Sequence, residues 1–244
     1  MPPPYALIAR PPGDWDDIFD YQAIEMSISH NMFIRGINAV YAQAAKIEEQ
    51  QVQAFAFFCN SLLTMIHHHH TIEEELLFPF FEAKLGANAM EHNVEQHHEF
   101  STGLEDLETY IKDVQSGTEQ YRSAVVIEKL NSFADALVDH LHEELPTLAA
   151  DKMRAAFTKQ DLKDLESALG KRILKEVSLT TVLPLGLVLH DKATAPQFPP
   201  LPKPILWIAQ YGLYYLHSDA WEFGPCDVYG KLKPGFGNDF AADR

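Results

Sequence analysis

The chain has 244 residues, enough for one good core plus a substantial extension, and its 35 acidic against 19 basic residues give a formal net charge of −16. That sign is wrong for a phosphate backbone, and with no Lys/Arg block to act locally, nucleic acid binding is excluded. No window reaches the roughly 20 apolar residues of a membrane span, "MPPPYALIARPPGDWDD" has no signal-peptide pattern, and Cys59 and Cys226 make neither a disulfide framework nor a metal knuckle, so the sequence reads as a soluble, cytoplasmic protein.

From about Asp14 to Ala150 prolines are few and apolar residues recur at spacings of three and four, the pattern of amphipathic helices. Breaks near Lys46–Gln50, Gly86–Asn88 and Ser116–Thr118 divide this stretch into four long segments. Short connections between long helices predict an all-α, up-down-up-down four-helix bundle over residues 14–150. In the first segment His30 shares a face with Ile34, Ile37 and Tyr41. The second contains "HHHHTIEEELLFPFF", and its apolar stripe runs Phe55, Phe58, Leu62, Ile66, then His69 and Glu73, then Leu76 and Phe80. In the third, Met90 and Val94 lead to His97 and on to Ser101, Leu104 and Ile111. In the fourth, Val126, Leu130, Phe133 and Leu137 lead to His140 and Glu144. "TKQD" at Thr158 reads as a capping box opening a fifth helix, with Asp161 in place of the usual Glu or Gln. Beyond Gly170 the chain is rich in proline and aromatics, and residues 151–244 read as an irregular extension, with one or two short helices, packed on the bundle.

Each of the four stripes therefore turns polar at an inward position, and always as His or Glu. A buried imidazole or carboxylate without a partner costs several kcal/mol, so a set of them converging in one bundle calls for a compensating positive charge. A metal supplies it. Residues at i and i+4 stand one turn apart on one helix face, within reach of one ion or of two adjacent ions. Mixed imidazole and carboxylate ligands suit iron, with manganese and zinc as poorer fits, and no cysteine cluster points to iron–sulfur chemistry.

Taken together, His30, "HHTIEEELLFP" from His69, "NVEQHHEF" from Asn93 and "HLHEELP" from His140 resemble the hemerythrin-like family, the HHE cation-binding domain, over roughly residues 18–150. The resemblance implies two non-haem irons bridged by carboxylates and an oxo or hydroxo group, able to bind or reduce O2. It assigns His30, His69, Glu73, His97, His140 and Glu144 as metal ligands, Glu73 and Glu144 as the bridges. A rival register on the second helix uses His70 with Glu74, on the stripe through Leu63 and Leu77. One departure stands out: the oxygen-carrying members place two histidines four apart on the third helix, and here Asn93 stands four before His97. That leaves one iron short of an imidazole, with an open position that favours chemistry over simple carriage.

The remaining candidates read as ordinary structure. His67 is expected on the surface, and His98 and His142 beside the site or on the surface. His190 and His217 are expected to be satisfied by backbone groups, and Glu25, Glu48 and Glu49 to be solvated. A zinc-protease helix would need HExxH, and "HEFST" and "HEELP" both lack the second histidine. Only Glu95 with His98 has the ExxH spacing of a ferritin-like site. The expectation is a di-iron protein whose partners are O2 and a small organic substrate that it oxidises. The other reading is a non-catalytic iron- or O2-binding module for storage, sensing or NO/O2 handling.

Overall fold

In the computed structural model, which describes residues 4–176, 178–234 and 236, four rods form the bundle. They are α1 (Ile18–Gln43), α2 (Val52–Ile72) continued through α3 (Phe78–Leu85), α4 (Glu91–Ser116), and the pair α5 (Ser123–Asn131) and α6 (Ala134–Glu143). Asp17 caps α1 by accepting the Phe19 N–H at 2.9 Å. Gly117, at φ 78°, ends α4 in the left-handed region, where glycine has no Cβ to strain. The sequence breaks fall where the helices stop, except that the fourth segment is two helices interrupted at Ser132 and Phe133.

The second rod departs from a regular helix at one place, directly after the histidines. Between α2 and α3 the backbone makes one π turn, Glu73–Leu77, in which the Phe78 N–H donates to the Glu73 carbonyl five residues back. Pro79 sits at the start of α3; it has no N–H to offer the preceding turn, and its ring needs room at the carbonyl four residues before. The widened turn provides that room and moves the apolar stripe on by one residue. Leu77 and Phe78 are buried and Leu76 only half so, which corrects the stripe expected through Leu76 and Phe80.

The core runs the length of the bundle around Ile34, Ile37, Phe58, Leu62, Ile66, Leu104 and Leu137. Helices α1 and α2 approach closely at Gly36, where an added Cβ would lie 2.5 Å from Leu62 Cδ1. Gly36→Ala sets helix propensity, about 1 kcal/mol in favour, against overpacking, about 1–3 kcal/mol against. Leu62 is 1% exposed and hemmed in, so packing wins, and a net loss of stability in urea unfolding is expected.

The C-terminal part is more helical than the sequence reading allowed. It comprises α7 (Ala150–Ala156), α8 (Lys159–Glu176), α9 (Val182–Leu189), α10 (Lys203–Tyr211) and α11 (Ser218–Trp221). The Thr158 capping box is present, with the Thr158 N–H donating to Asp161 Oδ2 at 2.8 Å and the Asp161 N–H to Thr158 Oγ1 at 3.1 Å. Met153, Phe157, Leu162 and Leu165 join Phe19, Ala23, Met26 and Phe81 in a second apolar cluster. Leu185, Val188, Trp221 and Phe223 belong to the main core itself. At the other end of the chain, Asn38 and Asn31 side chains exchange paired hydrogen bonds with the backbone of Tyr5 and Ile8, laying residues 5–8 along α1.

No helix among the described residues is long and apolar enough to cross a membrane.

Candidate metal centre

Five imidazoles and two carboxylates meet at one level of the bundle: His30 from α1, His69 and His70 from α2, Glu73 from the π turn, His97 from α4, His140 from α6, and Glu144 at the α6 C-cap. Ligand atoms of His70, Glu73, His97 and His140 all lie within 4.8 Å of one another, as do those of His30, His69 and Glu73. Two pockets thus share one carboxylate. Glu144 reaches toward both, with Oε2 3.3 Å from His30 Nε2 and 3.9 Å from His140 Nε2.

Neighbouring histidines both take part because Glu73 stands four residues after His69 and three after His70, and both spacings lie on one face of the regular helix α2. Here Glu73 Oε1 is 2.9 Å from His69 Nε2 and Oε2 is 3.6 Å from His97 Nε2, and His70 faces the same carboxylate from the other side. The two registers read in the sequence as rivals are therefore combined at the histidines. Glu74, the carboxylate of the second register, stands outside the cluster, where it accepts the His97 Nδ1–H at 2.7 Å.

Hydrogen bonds fix the tautomers. His30 Nδ1–H donates to the Leu141 carbonyl at 2.7 Å, His97 Nδ1–H to Glu74, and His140 Nδ1–H to Gln96 Oε1 at 3.2 Å. Gln96 presents that oxygen because its own amide N–H groups are directed to Glu143 Oε2, at 2.7 Å. In all three rings Nε2 is left as a lone pair facing inward. His30 Nε2 lies 3.2 Å from His69 Nε2, and His97 and His140 oppose two Nε2 lone pairs at 3.1 Å. Two lone pairs at that distance repel unless a cation stands between or beside them.

The orphaned atoms tell the same story. Both oxygens of Glu73, both of Glu144 and both ring nitrogens of His70 are buried without a hydrogen-bond partner, their close contacts being misaligned for one. Each such atom costs about 1–3 kcal/mol, so the cluster is intelligible only as a ligand set. Burial and the neighbouring Glu144 push the Glu73 carboxyl well above its ordinary range. Burial would raise Glu144 as well, but the close His30 contact and the charges of His140 and His69 outweigh it and hold the carboxyl at about 2. Burial lowers His140 to about 3, and burial together with the surrounding imidazoles lowers His70 well below its ordinary value. Imidazoles and buried carboxylates are the donor set of an O/N-ligated transition metal.

The surroundings are apolar. Phe33 meets the His69 ring edge-on at 4.9 Å, and Phe78 and Phe100 lie 5.4 and 5.6 Å from His97. His69, at 18% side-chain exposure, is the most exposed member of the cluster. Beside it Glu25 is half-buried and pushed up by burial and by Glu166 of α8, so it is not the solvated charge expected from sequence. Asn93 is buried, and the imidazole it fails to supply is matched by His70 from the second rod; the shortage of imidazoles expected from the third helix is absent from the cluster. His67 and His98 are on the surface, His142 donates to the Ala6 carbonyl at 3.1 Å, and His217 stacks on Phe57 at 4.2 Å.

Glu74 offers a direct check on the tautomer argument. Glu74→Ala removes the acceptor of the His97 Nδ1–H and leaves the ring free to rotate, and metal affinity is expected to fall about 10–100-fold in competition with a chelator. The metal-free protein should change little, because Glu74 is 39% exposed.

Comparison with known proteins reaches the same region. The model of the hemerythrin HHE cation binding domain matches residues 25–150. The dimeric xanthone biosynthesis cluster protein R11 of Cryptosporiopsis sp. (strain 8999) is 31% identical over 237 residues, covering 93% of this chain and 88% of that protein. The similarity therefore extends through the C-terminal helices. No solved structure matches.

Proposed function

The chain belongs to the hemerythrin HHE cation-binding family, and on that footing we propose that it is a non-haem di-iron protein that binds O2 and uses it to oxidise a small organic molecule. The observation that supports the reading is that Glu73 belongs to two groups of ligand atoms, as a pair of cations would need. In this assignment His70, His97 and His140 would hold one iron and His30 and His69 the other, with Glu73 and Glu144 as the carboxylates within reach. An iron pair so held would supply O2 binding and the electrons for its reduction.

The chain's own residues do the rest. Glu74, Gln96 and the Leu141 carbonyl take the Nδ1 protons and keep each Nε2 basic and aimed inward. Phe33, Phe78 and Phe100 exclude water from the imidazoles. Glu25, its carboxyl pushed up by burial and Glu166, stands within electrostatic reach of His69. Oxidation, as distinct from carriage, is supported by the full-length similarity to a protein named for a biosynthesis cluster.

A second reading, reversible O2 binding without turnover, is favoured by the five imidazoles and by the tightly packed bundle core, where the void among Ile37, Leu62, Leu63 and Ile111 is about 10 Å³.

The test is anaerobic loading with ferrous iron, elemental analysis, and O2 uptake in the presence of a mild reductant and a panel of small aromatic compounds. About two irons per chain and continuing uptake that accelerates with one of the compounds are expected. Uptake that stops at one equivalent and reverses under vacuum would replace the proposal with the second reading. A redox-silent zinc protein would end both.

A further inference from the structure

Large apolar side chains left in water gather on one face of the C-terminal part. Trp207, Ile208 and Tyr211 stand on α10, Tyr215 and Leu216 on the 3-10 stretch Leu213–His217 that follows it, and Tyr229 beside them. Trp207 is 63% exposed and Tyr215 64%. The Trp207 and Tyr211 rings lie 5.5 Å apart and those of Tyr211 and Tyr229 6.3 Å, and Tyr211 and Tyr215 are both within electrostatic reach of the Tyr229 hydroxyl. The six side chains therefore form one continuous patch.

Its base is firm. The opposite side of α10 and of the 3-10 stretch, through Leu206, Ala209 and Tyr214, packs on Leu187 of α9 and on Val228, and Ala209 is 0% exposed. The inward face of α10 is thus already used, and the aromatic face is surplus to the fold. Six large side chains, each at least half exposed, present on the order of 700 Å². That is close to the roughly 800 Å² that each partner contributes to a standard interface, and larger than the scattered apolar surface of an ordinary monomer.

Charge selects the occupant. In a chain with a net charge of −16, no charged residue stands between Lys203 and Asp219. A basic partner would be drawn to the acidic faces elsewhere, and an anionic membrane surface would repel the chain as a whole. Two copies of the chain repel one another too, except where neutral surface meets neutral surface. A two-fold interface also brings residues close to their own copies. A lysine or carboxylate there would oppose a like charge, whereas a tyrosine hydroxyl both donates and accepts, and aromatic rings pack on one another. The two ends of the patch are opposite in sign: Lys203 opens α10, and Glu222, 68% exposed and 3.7 Å from Lys233, accepts the Tyr214 O–H at 3.4 Å. A head-to-tail two-fold sets each Lys203 toward the partner's Glu222. Such rim pairs add little affinity but favour one orientation.

We propose that the aromatic face of α10 and of the 3-10 stretch after it is the interface of a two-fold dimer of this chain. The inference uses no metal ligand, so it stands whether or not the dimetal reading does.

The experiment is sedimentation velocity on the full chain from about 1 to 100 μM. A species of twice the 27.6 kDa chain mass is expected to dominate at the upper end. Trp207→Glu alters an exposed side chain and puts a charge in the neutral patch. It should raise the dissociation constant at least about thirtyfold, the scale of losing one central aromatic anchor, with an unchanged far-UV spectrum. Leu174→Glu, a comparable change on α8 at a side chain 64% exposed, should leave the dimer intact. A chain that stays monomeric at 100 μM, a dimer indifferent to Trp207→Glu, or one lost with Leu174→Glu would each overturn the proposal. A monomer that sediments with phosphatidylcholine vesicles, and ceases to do so as Trp207→Glu, would overturn it in favour of a lipid surface.

Discussion

Glu73→Ala is expected to strip metal from both pockets at once, because its carboxylate belongs to both groups of ligand atoms. The loaded wild-type protein should hold a stabilisation of about 4 kcal/mol when free metal is a thousandfold above its dissociation constant, and the variant should lose it. The metal-free protein should move the other way. Glu73 is buried with neither oxygen hydrogen-bonded and beside a second carboxylate, so removing it relieves a cost of about 1–3 kcal/mol. Thermal melts with and without chelator, paired with elemental analysis, test this. A variant that binds metal normally, or whose metal-free form collapses, would show that Glu73 serves the fold and not the ion.

Trp221→Ala is expected to cost about 3–5 kcal/mol, the range for deleting a fully buried large aromatic side chain. Trp221 is 0% exposed, its ring lies 5.7 Å from Phe57 of α2, and its indole N–H has no partner, so packing alone holds it. Against a total stability of about 5–15 kcal/mol, that loss is large. Because Trp221 belongs to the main core, the bundle should unfold with the C-terminal helices in one transition, shifted down by roughly 10 °C. Two separated transitions by circular dichroism would instead show that residues beyond about 150 fold as an independent unit.

The bundle was legible because its signal is periodic: an apolar stripe every three or four residues survives any detail of packing, and its polar interruptions pointed at His30, His69, Glu73, His97, His140 and Glu144. The place of His70 was harder to read. Pairing residues only at i and i+4 made His69–Glu73 and His70–Glu74 alternatives, whereas His70 also stands three residues before Glu73 and so shares its face. That i+3 spacing was the available sign. The C-terminal helices were hidden for a different reason. Their prolines and exposed aromatics, such as Trp207 and Tyr215, obscure the apolar faces of α9 and α11, which are short and become evident only against α1 and α2. Glu25 was misjudged because its cover comes from Glu166 and Gln22, the first of them 141 positions away in the chain.

The π turn also sets how the second rod can tolerate length changes. It amounts to one residue more than a regular helix needs between Ile72 and Phe78. Deleting one residue within it would restore ordinary phase, keeping Phe78 and Phe81 seated while rotating the histidines away, or the reverse. The two halves of the rod cannot both stay in place. Insertions and deletions along this helix therefore act on the centre as a whole, whereas the same changes in the 118–122 connection leave the phase of every ligand untouched.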